Sequence, residues 1–149
     1  RENVRYFLEF APKDAIFAIA GGLGLDEAKE FMSIDKRIKV LGDLDYASLL
    51  ALYRKSTTFV HLSYLDHCPN VVVDAQASGC KVICSSTGGT HEIVFNGAMV
   101  QEEEWDFNPI PLYKPPALDF SKIVEITSNN KKSFKDCAET YFNIMKEVQ

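Results

Sequence analysis

Short apolar runs alternate with amphipathic stretches along the first hundred residues of this chain. The run at residues 15–20 is continuously apolar and ends at a glycine pair, which is typical of a strand buried on both faces in a parallel sheet. Just before it, Val4, Phe7 and Leu8 lie on one face at helical spacing. This alternation predicts a chain in which strands and helices follow one another in turn.

The same unit repeats as far as residue 100. The predicted strands span residues 15–20, 37–41, 57–61, 81–84 and 98–100, and the predicted helices span residues 4–10, 25–32, 46–55, 69–78 and 91–94. Strands that alternate with helices indicate an α/β fold with one doubly wound, Rossmann-like parallel sheet. Ligands of such sheets bind at the carboxyl ends of the strands.

The pattern changes after residue 100. Residues 101–118 contain an acidic run and several prolines, which predicts an extended surface loop. Residues 119–149 are predicted to form C-terminal helices, one from residue 120 to 127 and one from 133 to 148. The 149 residues are therefore expected to form a single domain whose β/α core covers about residues 1–100.

Composition excludes some classes of function. The chain is 46% hydrophobic with a net charge of −5, and an acidic domain lacks the basic face that dominates nucleic-acid binding. No apolar run approaches the roughly 20 residues of a transmembrane helix. The four cysteines lack zinc-site spacing, which favours free thiols in the core and a reducing compartment. They are Cys68, Cys80, Cys84 and Cys137.

The candidate chemistry lies in residues 63–79, where two aspartates flank the start of a predicted helix. Asp66 precedes the helix and Asp74 follows eight residues later. Carboxylates accept two hydrogen bonds at once, so each suits a pair of sugar or ribose hydroxyls. A second interpretation stays open on these residues alone: Asp66 forms a local Asx turn, and Asp74 is a polar position on an amphipathic helix.

The helix start between the two aspartates predicts an anion site. Pro69 suits the first helical position, which would leave the N–H groups of Asn70, Val71 and Val72 free. Free N–H groups and the helix dipole favour binding of a diphosphate.

A glycine pair predicts a close approach to ligand after the next strand. Gly88 and Gly89 lie before a short predicted helix that Thr90 would cap. Glu92 falls in the first turn of that helix and is a candidate ligand contact. A glutamate is also favoured there by the helix dipole without any ligand, so both interpretations stay open. The three histidines are interpreted as surface or hydrogen-bonded structural residues rather than acid–base catalysts. They are His61, His67 and His91.

These segments, in their order along the chain, resemble the C-terminal, donor-binding domain of retaining glycosyltransferases of the GT-B fold, in the family 4 or group 1 type. Residues 66–79, DHCPNVVVDAQASG, are similar to the family segment that holds two acidic residues eight apart. Residues 86–94 are similar to its glycine–glycine–glutamate stretch. Residues 19–22 and 40–53 resemble its glycine turn and two further elements, so the resemblance covers roughly residues 4–100.

The resemblance implies a role for each candidate. Asp66 would contact the donor sugar at the catalytic centre, and Asp74 would hold the ribose hydroxyls of a nucleotide-sugar, such as a UDP- or GDP-linked one. A hexose-like unit would be transferred to a glycan, lipid or protein acceptor with retention of the anomeric configuration. The transfer would need no metal or other cofactor. The other substrate-binding candidates are Asn70, Val71, Gly21, Gly22, Gly42, Gly88, Gly89 and Glu92.

The sequence departs from the family pattern at three places. Both family glutamates are aspartates here, residues 67–70 replace a Gly-Phe-Gly element in a pattern taken as tolerated, and the basic residues before the first helix are unmatched, with Arg5 as the nearest substitute. The two aspartates and the unmatched basic residues favour a first alternative, a non-catalytic interaction module of the same descent. A second alternative is a nucleotide-sugar epimerase domain, over which the spacing of Asp66 and Asp74 favours the transferase.

The resemblance also implies an upstream acceptor-binding domain that this chain does not include. The isolated chain is therefore expected to bind donor weakly and not to turn over. The expected location is the cytoplasm, with peripheral membrane association through the missing domain as a further option.

Overall fold

The computed structural model describes residues 1–103 and 115–127, together with Glu139, Asn143 and Lys146. In this part of the chain the helices are α1 (Glu2–Phe10), α2 (Leu25–Ile34), α3 (Tyr46–Lys55), α4 (Asn70–Ala77) and α5 (Thr90–Ile93). The strands are β1 (Phe17–Ala20), β2 (Ile38–Gly42), β3 (Thr58–His61), β4 (Lys81–Ser85), β5 (Asn96–Glu102) and β6 (Leu118–Thr127). The predicted alternation up to residue 100 is confirmed, with ends that differ by a few residues. None of the described helices is both long and apolar enough to cross a bilayer.

The strands form two sheets. β1 and β2 pair in parallel, and a second sheet has the order β3–β4–β5–β6, in which only β6 runs antiparallel to its neighbour. The mixed α/β class with parallel strands is confirmed. The described strands are nevertheless divided between two hydrogen-bonded sheets, where the sequence predicts one.

The prediction of a helix from residue 120 to 127 is wrong, because these residues belong to β6. Leu118 and Phe120 are buried and pack with Val100 of β5, while the strand pairs with β5 along most of its length. The segment is rich in residues that favour strands, namely Ile123, Val124, Ile126 and Thr127. Of the predicted helix at 133–148 the structure describes Glu139, Asn143 and Lys146, which are helical. The rest of that helix and most of the proline-rich loop lie outside the described residues.

Two apolar clusters hold α1 and α4 against the sheets. Val4 and Phe7 of α1 pack with Phe31 and Ile38 beside the β1–β2 sheet. Val72 of α4 packs with residues of β4 and with Val94. The position of α4 matters most for the site, since it carries both candidate N–H groups and Asp74.

A buried glutamine fixes α4 to the start of β5. Gln76 is 5% exposed; its Nε2 donates to Ile93 O at 3.1 Å, and its Oε1 accepts the Phe95 N–H at 2.9 Å. Both polar ends of the amide are therefore satisfied inside the protein, as burial demands.

Two of the cysteines behave as core residues. Cys80 and Cys84 are buried free thiols, and burial raises the pKa of Cys84 to about 11, which keeps it protonated and unreactive. The core prediction is confirmed for these two and wrong for Cys68, which is exposed. Cys137 lies outside the described residues.

Candidate functional site

The predicted site residues lie at the carboxyl ends of the parallel strands. Gly21 follows β1, Gly42 ends β2, Asp66 lies in the loop after β3, and Gly88 lies in the loop after β4. Parallel strands joined by helical crossovers present their carboxyl ends at one edge of each sheet. The fold thus places segments that are far apart in sequence at the edges where ligands of such sheets bind.

Three polar groups bind Asp66: two side chains and one backbone N–H. Its Oδ2 lies 3.0 Å from Nε2 of His61, at the end of β3. Its carbonyl oxygen accepts the Gly89 N–H at 3.0 Å and the Thr90 hydroxyl at 3.1 Å. The preceding residue, Leu65, has a positive φ of 55°, a backbone conformation that is uncommon for leucine.

These contacts change two predictions from the sequence. The Asp66 carboxylate pairs with the His61 side chain, whereas an Asx turn would pair it with a nearby backbone N–H. Thr90 is the first residue of α5 and Gly89 is its N-cap, so the predicted cap at Thr90 is wrong. The Thr90 hydroxyl, fully buried, binds the Asp66 loop.

Gly88 and Gly89 pack against the backbone of the Asp66 loop. A Cβ on Gly88 would lie 2.5 Å from Asp66 O, and one on Gly89 would lie closer still to the carbonyl oxygen of His67. No side chain fits at such separations. Glycine is therefore required at both positions for the Asp66 loop to pack against them. A direct contact of these glycines with ligand stays a prediction.

The start of α4 offers two free donors. Pro69 is the N-cap, one position before the predicted one, and its carbonyl oxygen accepts the Val72 N–H at 3.0 Å. The prediction that Val72 is free is therefore wrong. No partner in the described part of the chain accepts the N–H groups of Asn70 and Val71, which leaves them open to an anion.

Asp74 lies one turn further along α4, about 6 Å from Asn70 along the axis. It is half-buried and faces α3, where the Tyr46 hydroxyl donates to its Oδ1 at 3.4 Å. Burial raises the pKa of Tyr53, and the nearby Asp74 carboxylate raises it further. Because Tyr46 is the one side-chain partner of Asp74 in the described residues, the carboxylate keeps capacity to accept other hydroxyls.

The turns after β1 and β2 contact each other. The Gly21 N–H donates to Gly42 O at 2.9 Å, and a Cβ on Gly22 would lie 3.4 Å from Oδ1 of Asp43. Like charges repel, so the carboxylate of Asp43 disfavours a phosphate beside Gly22. This turn suits an uncharged part of a ligand better than a phosphate.

A cavity of about 1110 Å³ joins part of this site to the space between the sheets. The end of the cavity nearest the site is lined by Gly21, Asp43, His61 and Val71. From there the cavity continues between β1 and β3. Asp66, Asp74, Gly88, Gly89 and Glu92 do not line it; Glu92 is exposed on α5. The structure therefore brings together the turn after β1, the end of β3 and the start of α4.

His91 is a candidate that the sequence analysis treats as structural. Its Nδ1 is buried and has no hydrogen-bond partner in the described residues. Buried ring nitrogens are normally paired, so this atom, two residues after Gly89, is available to a ligand or water.

The arginines near the start of α1 are engaged elsewhere. The Arg5 guanidinium lies 4.5 Å from the centre of the Phe120 ring and 3.4 Å from Glu2, and Arg1 pairs with Glu30 at 3.2 Å. Both are exposed surface contacts, so the role of Arg5 as a substitute for the basic residues stays a prediction. No group of three His, Cys, Asp or Glu within the described ranges is arranged to bind a metal ion.

One comparison covers the greater part of the chain. A family model described as "Glycosyl transferases group 1" matches residues 2–106. This range contains α1 to β5 and every predicted site residue. The curated proteins contain no match.

Proposed function

Because the chain belongs to the group 1 glycosyl transferases, we propose that it is the donor-binding half of a retaining enzyme that transfers a hexose-like sugar from a nucleotide-sugar. The observation that carries this proposal is the arrangement around α4. Asp66 precedes two free N–H groups, and Asp74 follows them by one helical turn. Acceptors on both sides of a pair of donors match a ligand with hydroxyls on both sides of a diphosphate.

Each part of the donor has a proposed place. The Asn70 and Val71 N–H groups take the diphosphate or the adjoining sugar oxygen, Asp74 takes the ribose hydroxyls, and Asp66 takes the sugar hydroxyls. Glu92 and the unpaired Nδ1 of His91 lie on α5, directly after the two residues that bond to Asp66 O, and are proposed to meet the sugar.

The donor's negative charge needs a cationic partner. The dipole of α4 supplies only about half an elementary charge, and Arg1 and Arg5 already pair with carboxylates. We therefore assign the neutralising charge to the segment before α1 or to the acceptor-binding domain, which would close over the donor. On this proposal the donor is UDP- or GDP-linked, no metal or other cofactor takes part, the acceptor is a glycan, lipid or protein, and the enzyme works in the cytoplasm.

Asp74→Ala in the full-length protein is expected to weaken nucleotide-sugar binding about 100-fold. Two hydrogen bonds to a charged acceptor contribute about 1.5 kcal/mol each. Isothermal titration with UDP-, GDP- and ADP-linked sugars measures the loss. Asp74→Glu, which restores the residue type of the family, should bind within about threefold of the unmodified protein.

The control for this test is Asp14→Ala, which changes an exposed aspartate before β1, at the amino end of that strand. It removes the same charge at the end of the strand opposite to the site and should leave affinity unchanged. Equal affinity in the Asp74→Ala and Asp14→Ala proteins would remove Asp74 from the donor site.

A second candidate function is a non-catalytic interaction module. The observation that favours it is Asp43, whose carboxylate lies beside Gly22, a predicted substrate-binding residue, and disfavours a phosphate there. If the unmodified full-length protein binds none of the nucleotide-sugars, this second function replaces the first.

His61 is proposed as the positioning residue for Asp66. His61→Phe keeps an aromatic ring next to Phe59, whose ring it stacks on at 6.0 Å, but removes the contact with Oδ2. Loss of one part-buried hydrogen bond costs about 1 kcal/mol, so donor affinity should fall about fivefold while Tm changes little. His61→Gln, which can still donate to Asp66, should recover part of the loss.

Cys68→Ser provides the control in the same loop, since its thiol is exposed. Titration and thermal melts of the three variants test the assignment. If His61→Phe lowered Tm but left donor affinity intact, His61 would be a structural residue only.

A further inference from the structure

An exposed tyrosine contacts the carboxylate of Asp74 from the neighbouring helix. The Tyr46 hydroxyl donates to Asp74 Oδ1 at 3.4 Å, across 28 positions of the sequence. The Tyr46 side chain is nevertheless 62% exposed, so a ligand can reach it from solvent. Tyrosine offers a ligand two kinds of contact, an apolar ring and a polar hydroxyl.

The contact between Tyr46 and Asp74 contributes little to the fold. Its length exceeds the roughly 2.5–3.0 Å of ordinary O–H···O hydrogen bonds, and exposed hydroxyls bond equally well to water. The packing of α3 against α4 depends on Tyr53, which is 5% exposed and packs with Ala75 and Cys80. The two helices therefore stay together without the Tyr46 side chain.

The fold nevertheless gives Tyr46 a defined position. Asp45 is the N-cap of α3, and its carboxylate accepts the Ser48 N–H at 2.7 Å, so the helix begins at Tyr46. Tyr53 follows about two turns later and lies on the same face of α3. Because Tyr53 packs against α4, this face is the one from which Tyr46 reaches Asp74.

The two side chains have unused hydrogen-bonding capacity. A carboxylate accepts about four hydrogen bonds, and a tyrosine hydroxyl that donates one can still accept others. In the part of the chain that the structure describes, Tyr46 is the one side-chain donor to Asp74. Asp74 Oδ2 and the Tyr46 oxygen are therefore neighbouring acceptors, which suits two hydroxyls on adjacent carbons.

A nucleotide with its ribose on Asp74 would bring its base to Tyr46. The free N–H groups of Asn70 and Val71 lie at the start of α4, one turn before Asp74, and the ribose of a nucleotide follows its phosphates. The base is attached to the ribose carbon next to the one that carries the 2′-hydroxyl. It would therefore lie beside the side chain that shares the ribose-binding carboxylate, which is Tyr46.

We propose that Tyr46 binds the nucleoside of the donor: its hydroxyl donates to Asp74 and accepts one ribose hydroxyl, while its ring stacks on the base. Asp74 Oδ2 accepts the other ribose hydroxyl. This inference rests on the proposed function, since it requires a nucleotide at Asp74. The ring accepts a purine or a pyrimidine, because every base has a π-face, whereas the two oxygens select for an intact ribose.

Titration of the full-length protein with UDP, GDP and ADP separates the hydroxyl from the ring. For whichever nucleotide binds, Tyr46→Phe removes one hydrogen bond and should weaken binding about fivefold. Tyr46→Ala also removes the stacking surface and should weaken binding about 30-fold. Unchanged affinity in both variants would overturn the proposal.

Deoxynucleotides show whether the Tyr46 hydroxyl acts through the ribose. In the unmodified protein, removal of the 2′- or the 3′-hydroxyl from the same nucleotide should weaken binding about tenfold. For one of the two analogues this loss should fall below about threefold in Tyr46→Phe, because its hydroxyl has already lost its partner. A purely structural role of Tyr46 would not change the loss. Equal losses in the two proteins for both analogues would overturn the contact with the ribose.

Ile16→Ala is the matched control. Ile16 is a similarly exposed apolar side chain, at 69%, and lies just before β1, at the amino end of the strand. Its removal should leave nucleotide affinity unchanged. The Tm of Tyr46→Ala should also stay within a few degrees of the unmodified value, because alanine is favourable in a helix and the lost side chain is exposed.

Failure of this inference differs from failure of the proposed function. If the unmodified protein binds none of the three nucleotides, both are overturned. If it binds one, loses affinity in Asp74→Ala and keeps it in Tyr46→Phe and Tyr46→Ala, the donor site stands and the role of Tyr46 is overturned.

Discussion

Gly97→Ala is expected to lower the free energy of unfolding by about 3–5 kcal/mol, because strain at a positive φ and an overlap in a packed sheet each cost about 1–3 kcal/mol. Gly97 lies in β5 opposite Val82 of β4 and has a φ of 155°. A Cβ at this position would overlap the Val82 carbonyl oxygen. β5 cannot move away, because β6 pairs along its other edge.

Urea denaturation of Gly97→Ala measures this loss. Gly24→Ala is the matched control, since a Cβ at Gly24 meets nothing within 4 Å and its φ of −61° suits alanine. The control should cost less than about 1 kcal/mol, the usual effect at a helix N-cap. A similar loss in both variants would mean that β4 and β5 do not pair in the register described.

Gly89→Ala is expected to displace the Asp66 loop and to reduce nucleotide-sugar affinity about 100-fold, as removal of an interaction of roughly 3 kcal/mol does. The new Cβ would overlap the carbonyl oxygen of His67. To relieve this overlap the loop must retreat, which breaks the hydrogen bond from the Gly89 N–H to Asp66 O. Because the φ of Gly89 is −91°, alanine adds the overlap without backbone strain.

The change should act on the site more than on the fold. Titration with the nucleotide-sugar and the NMR signals of the His61 ring would follow the donor site and the His61–Asp66 contact separately. Gly24→Ala serves as the comparison, because it adds a methyl group in open space at a φ of −61° that suits alanine. If the His61 ring signals stayed unchanged in Gly89→Ala, the contact between the two loops would be absent in solution.

The alternation of strands and helices up to residue 100 was predictable from local periodicity. A continuous apolar run marks the strand before Gly21, and burial on one face produces the helical spacing of Val4 and Phe7. The site segments followed from the same pattern, because they are the loops after predicted strands. The donor-binding assignment came from the resemblance of those loops, and the family match over residues 2–106 supports the family it implies.

The error at β6 shows the limit of such patterns. Phe120, Ile123 and Ile126 are three residues apart, which favours a helix, but the segment also contains branched residues that favour a strand. Pairing with β5 decides between the two, since a long antiparallel ladder satisfies the backbone whatever the local spacing. A partner about twenty residues away in the chain is not visible in a local window.

The sequence by itself determined the order of the elements up to residue 100, the family and the loops that form the candidate site. Only the tertiary structure decided that His61 holds Asp66, that Gly88 and Gly89 pack against the Asp66 loop, and that the described strands divide into two sheets. The physical reason is the range of the interactions. Periodicity records which face of one element is buried, whereas these contacts join different elements and exist only once the elements have packed.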